Sequence, residues 1–122
     1  MFDCELKFVV AQKYKNDYMI NLHQHPCYEI VFYIKGEGKT TINGITYDFK
    51  PNTFSICEPN HSHNEIGCES VELIYIGFNI LNDSVKLQSG VYDNKDYTYY
   101  TKNNEIEISA KTINSKASIK NT

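Results

Sequence analysis

Asn43-Gly44 separates two runs, Lys39-Thr40-Thr41-Ile42 and Ile45-Thr46-Tyr47-Asp48-Phe49, that are rich in β-branched and aromatic residues. A two-residue type I′ turn needs positive φ at both central positions, and Asn-Gly tolerates this best. The segment therefore reads as a β-hairpin, and its neighbours repeat the pattern. Tyr28 to Lys35 (YEIVFYIK) ends at Gly36 and Gly38 and is a strong strand candidate. Lys50-Pro51-Asn52 makes a turn, Thr53 to Cys57 alternates Phe54 and Ile56 with smaller residues, and Pro59-Asn60 closes that segment. Glu5 to Gln12 fits an edge strand, Glu65 to Gly67 a short one. Ser70 to Asn79 is almost continuously apolar, as in the middle of a sheet.

Strands recurring about every eight to twelve residues, with no helical period before Asn79, predict an all-β sandwich, jelly roll or small barrel. At 122 residues the chain is one domain, long enough to bury roughly two thirds of its unfolded surface. Ten tyrosines and six phenylalanines supply aromatic bulk in place of tryptophan. Beyond Leu81, Asn, Asp, Lys, Ser and Thr dominate, although Val85, Leu87, Val91 and Tyr92 remain able to pack on the sandwich. The expected division is a β domain over 1–82 and a polar extension over 83–122. In the extension, Ile106, Ala110, Ile113 and Ala117 have helix-like spacing among weak helix formers, which predicts a weak helix or a disordered tail.

Net charge is -3 with a pI near 5.8, so no polyanion-binding surface is advertised and this chain is not expected to grip DNA alone. Cys4, Cys27, Cys57 and Cys68 show no CxxC spacing, and no basic-then-apolar leader precedes them. A reducing cytoplasm with free thiols is the expectation. No apolar run approaches the ~20 residues that span a bilayer.

All four histidines fall into two HxH pairs, His23-Gln24-His25 and His61-Ser62-His63. Were the chain extended from His23 to Glu29, His23, His25 and Glu29 would share one face, because strand side chains repeat with period two. Together with His63 they form a candidate metal set, suited to Zn, Ni, Mn or Fe. Without a metal they would form a hydrogen-bonded polar lining. His61 reads as a loop residue, Cys27 as a small buried thiol, and Glu58 and Glu65 as loop carboxylates. Tyr33, Tyr47 and Tyr75 are candidates to line a pocket with hydroxyls.

The spacing His23, His25, Glu29, Gly36 resembles the first cupin motif: HxH, three residues, Glu, six residues, Gly. Gly44 through Phe49, Pro51, Pro59 and His63 resemble the second motif as it occurs in the sensing domains of AraC-type transcription regulators, over about residues 5 to 80. Asn52 stands where many members have Gly in the turn after the proline. The resemblance implies a cupin-like double-stranded β-helix that binds a small polar effector, dimerises, and acts on DNA through a C-terminal helix-turn-helix region not contained in these residues. The alternative is a small single-domain cupin metalloenzyme of dioxygenase or isomerase type, using the same four residues.

Overall fold

The computed structural model describes residues 3–82, 85–93, 98–102, 105–111 and 116–121. The described strands are β1 (Cys4–Tyr14), β2 (Met19–His23), β3 (Tyr28–Lys35), β4 (Gly38–Ile42), β5 (Ile45–Phe49), β6 (Thr53–Cys57), β7 (His63–Gly67), β8 (Val71–Ile80), β9 (Gly90–Asp93), β10 (Thr98–Lys102), β11 (Glu105–Lys111) and β12 (Lys116–Asn121). Strands β1-β8-β3-β6-β9 make one sheet and β2-β7-β4-β5 a second. Every pairing is antiparallel. The hairpin at Asn43-Gly44 forms with Ile42 opposite Ile45, and both turn residues have positive φ, 50° and 83°. Asn52 also has positive φ, 68°, a conformation that asparagine tolerates better than most residues with a Cβ.

Between the two sheets, Val31 and Tyr33 of β3, Val71 and Leu73 of β8 and Phe49 of β5 pack together, with Tyr14, Tyr18 and Tyr75 against them. Tyr33 stacks on Phe49 at 4.0 Å between ring centroids. Strand β8 lies between β1 and β3, which explains its continuous apolar character: both edges are paired and neither face is free of neighbours. The expected edge strand is β1. Its register shifts between Leu6 and Phe8, and Phe8 comes to lie over Gly77, where a Cβ would meet the Phe8 ring at 2.1 Å. Only glycine leaves room for that ring.

The sandwich reaches past the expected limit at 82. Strand β9 pairs with β6, placing Tyr92 opposite Phe54 and Val91 opposite Ser55. Leu87, Tyr92, Phe54, Ile56, Tyr28 and Phe78 form one buried cluster. The described part of the extension is strand, not helix: β10, β11 and β12 form a three-stranded antiparallel sheet. Ile106 and Ile108 alternate with Glu105, Glu107 and Ser109, a period-two pattern that the wider Ile106/Ala110 spacing obscured. Ile113 lies outside the described residues.

Leu87 is 1% exposed and Leu81 62%. Leu87→Ala is expected to cost about 2–5 kcal/mol in equilibrium urea unfolding, as for a buried leucine elsewhere, and Leu81→Ala less than about 0.5 kcal/mol. Equal, small effects would place residues 85–89 outside the cooperative core.

Candidate functional site

The chain does not run as one strand from His23 to Glu29. His23 ends β2, paired with His63 at the start of β7. Gln24, His25 and Pro26 then leave the ladder, and the chain crosses to the other sheet before β3 begins at Tyr28. Pro26 has no N–H to give to a ladder, so the break falls there. The Asn60 N–H donates to the His25 carbonyl at 2.7 Å and holds the crossing in place. Glu29 emerges on β3 between Cys57 of β6 and Gly77 of β8. The crossing accomplishes what a single strand face was expected to do: one ligand atom from each of His23, His25 and His63 lies within 4.8 Å of the others. Glu29 Oε2 is 3.4 Å from His25 Nε2, and Oε1 is 3.3 Å from His63 Nε2.

The far side of two rings is tied down. His23 Nδ1 lies 2.7 Å from the Asn21 carbonyl oxygen, which makes Nδ1 the protonated nitrogen and leaves an Nε2 lone pair. His63 Nδ1 lies 3.3 Å from Cys57 Sγ and 3.4 Å from the His61 carbonyl oxygen. Its Nε2 is buried and, despite the nearby carboxylate, aligned with no hydrogen-bond partner. Glu29 compensates it electrostatically from 3.3 Å without a well-aligned hydrogen bond, and a divalent ion between these groups is a partner of the right chemistry. Ring nitrogens anchored on the opposite side are the usual support of metal-binding histidines. The donor set therefore fits a transition metal.

Electrostatics separate the rings. Burial pushes the His25 imidazole down, against the pull of Glu29. Burial also works against a charged His63, but the Cys57 thiol and the Glu29 carboxylate outweigh it and push His63 up to about 10.

These groups open onto a cavity of about 180 Å³ lined by Phe8, Tyr14, Ile20, Val31, Leu73 and Tyr75 as well as His23, His25, Glu29, His63 and Glu65. Of the three expected pocket tyrosines, Tyr75 lines it. Tyr33 lies beneath it and reaches it through Glu65, to which it donates at 2.9 Å. Tyr47 does not belong there; it packs with Ile42, Cys57 and Val91, because it faces the interior at a different level of the sandwich. Glu65 is no loop residue: it lies on β7, is 7% exposed, and accepts from Tyr18 at 2.7 Å. Period two from His63 would have found it. Phe8 and Tyr14 were missed because their placement depends on pairing with β8, distant in sequence. Cys27 is buried. His61 sits in the loop as expected, its Nδ1 2.8 Å from Ser89 Oγ, which also accepts the Glu58 N–H at 2.8 Å.

A pH dependence follows. The raised His63 contributes stability to the metal-free fold that is fully present below the ordinary histidine value of 6.5 and is lost as pH rises towards about 10. A metal must displace the same proton. The rise in melting temperature on adding saturating Zn²⁺ is therefore expected to be larger at about pH 8.5 than at about pH 6. A rise that shrinks with pH would contradict this arrangement.

The family model described as an AraC-like ligand binding domain matches residues 7–66. An uncharacterized HTH-type transcriptional regulator, YfiF of Bacillus subtilis, is 31% identical over 68 residues, covering 56% of this chain and 22% of that protein. The chain thus spans about a fifth of that curated relative. Among solved structures, a predicted oxalate decarboxylase of Thermotoga maritima superposes with TM-score 0.57 at 22% identity, over 62% of this chain and 68% of that one. A cupin protein of Bacteroides fragilis superposes with TM-score 0.54 at 16% identity, over 64% and 68%. The oxalate decarboxylase of Bacillus subtilis, described as having Mn(II) centres, superposes with TM-score 0.53 at 18% identity, over 62% and 22%. At these identities the structures establish the cupin fold. Residues 7–66 carry the sequence signature of the AraC-like ligand-binding domain.

Proposed function

We propose that the domain senses a small polar effector in the cavity, with a divalent transition metal (Zn, Ni, Mn or Fe) held by His23, His25, His63 and Glu29. The observation that carries this reading is the convergence of ligand atoms from His23, His25 and His63 within 4.8 Å of one another, with Glu29 against two of the rings, beside a space of about 180 Å³. When bound, such an ion supplies a Lewis-acidic point that attracts an oxygen donor of the effector. The remaining work belongs to the chain: Asn21 and His61 carbonyls orient two rings, and Phe8, Val31, Leu73 and Tyr75 narrow the space and exclude water.

In this reading the module works as a homodimer in the cytoplasm, and the effector acts by favouring one of two states of the dimer. DNA contact belongs to a helix-turn-helix region outside this chain. The unpaired buried thiols Cys27 and Cys57 are in keeping with a reducing compartment. Among the described residues no helix is long and apolar enough to cross a membrane.

One observation favours the alternative, a small cupin metalloenzyme: Glu65 places a second carboxyl in the cavity wall, a group that could serve as acid or base. Both of its oxygens already accept a tyrosine hydroxyl, which fits a fixed recognition group better than a proton shuttle.

The test is a metabolite library screened by thermal melt, followed by NMR of the hits over hours with Mn²⁺, Fe²⁺ or Zn²⁺ present. The sensing reading expects a ligand that raises the melting temperature, persists unchanged, and is lost with Val31→Phe, which fills the cavity. Steady consumption of a hit, abolished by His25→Ala, would move the assignment to the enzyme.

A further inference from the structure

Among the described residues the cavity wall holds two carboxyl groups, Glu29, which lies against His25 and His63, and Glu65, which stands apart from the histidines. Glu65 follows His63 on β7 by two residues, so it projects from the same face, roughly 6.6 Å further along the strand. His23 and His25 are partly exposed, whereas Glu65 is 7% exposed and abuts the buried Tyr33. The cavity thus has a histidine mouth and a carboxylate floor.

The floor is built with care for position. Tyr18 donates to Oε1 at 2.7 Å and Tyr33 to Oε2 at 2.9 Å. Tyr33 also lies 3.4 Å from Ser55 Oγ. The Tyr18 ring lies against Gly67, where a Cβ would sit 2.0 Å from it, and the Gly67 N–H donates to the Tyr18 carbonyl at 3.1 Å. Two phenols from different elements thus fix both oxygens. Each oxygen has two lone pairs, so each keeps acceptor capacity after its tyrosine is served. Among the described residues no lysine lines the cavity. The floor therefore has room to accept one more donor from inside the space.

We propose that Glu65 is the specificity-determining residue of the cavity and selects effectors that carry a hydroxyl or ammonium donor at one end and an oxygen ligand for the histidine end at the other, joined by a short apolar chain. This rests on the sensing reading above. Between the two ends the walls are apolar, provided by Phe8, Val31, Leu73 and Tyr75, which suits a short methylene chain. A space of about 180 Å³ has room for about six waters, and hence for a molecule of this size. An effector with an apolar terminus would displace water from Glu65 without offering the spare lone pairs a donor, and one with a second carboxylate would set two acidic groups together.

The experiment is calorimetric titration of the intact chain, with and without Zn²⁺, using butyrate, 4-hydroxybutyrate and 4-aminobutyrate. Wild type is expected to bind the two donor-bearing acids at least about tenfold more tightly than butyrate, the discrimination usual when a buried acceptor is left unserved. Glu65→Leu is expected to bring all three within about twofold. Glu65→Gln, which keeps the shape and guards against a folding defect in the leucine variant, is expected to weaken 4-aminobutyrate most. A preference that survives Glu65→Leu, equal binding of the three acids by wild type, or no binding of any of them would overturn the proposal. Val31→Phe separates it from the parent reading. Binding blocked by Val31→Phe but indifferent to Glu65 removes the specificity role alone, whereas binding that ignores Val31→Phe removes the cavity as the site, and both readings fall.

Discussion

Glu29 stands buried between His25 and His63, 3.4 and 3.3 Å from their Nε2 atoms, and much of the fold follows from the need to compensate that carboxylate. An ionised group taken out of water is tolerated only beside opposite charge, hydrogen bonds or a metal. Here the partners come from two places, His25 in the crossing after β2 and His63 at the start of β7, with His23 at the end of β2 packed against both rings. For these to meet, the two sheets must be in register with one another. Pro26 breaks the ladder at the right point, Asn60 holds the His25 carbonyl, and Gly77 lets Phe8 close the wall beside the cluster. Phe8 and His25 rings stand 5.8 Å apart.

The cavity that results has two chemically different ends along one strand. His63 belongs to a group of nitrogens with ligand character, and Glu65, two residues on, belongs to a group of tyrosine hydroxyls. Burial favours the neutral form of each, yet the Cys57 thiol and the Glu29 carboxylate push His63 up against it, while the Glu65 carboxyl is pushed up by burial with the Tyr18 and Tyr33 hydroxyls opposing. Such polarity along a narrow space is a means of orienting a small molecule, and orientation is what a sensing module needs if binding is to favour one conformation over another.

Much of this was legible in the sequence where local physics decides. Asn43-Gly44 prescribes a turn that few other dipeptides accept, and the apolar run of β8 requires a neighbour on each edge. The three histidines and Glu29 were legible as a set through their spacing, but not the route by which they meet, since a strand continuous through Pro26 gives the same list of residues. Glu65 was hidden by reading β7 as starting at Glu65 rather than at His63. Tyr47 and Tyr75 both point inward; only the level of each strand in the sandwich separates core from cavity, and that level is set by pairings between distant segments. In the extension, Ile106 and Ala110 satisfy a helical period while Ile106 and Ile108 satisfy a strand period, and the sequence alone does not rank them.

The central claim, that His23, His25 and His63 form one metal centre with Glu29 across the sheet crossing, is tested most directly by X-ray absorption at the metal edge on untagged protein purified without added metal. The account predicts about one equivalent of a transition metal whose first coordination sphere contains three imidazoles at roughly 2.0–2.1 Å if the ion is zinc, reduced to two in His63→Ala. Protein without bound metal that also fails to take up Zn²⁺, Mn²⁺, Ni²⁺ or Fe²⁺, or a bound metal whose spectrum is unchanged in His63→Ala, would contradict it.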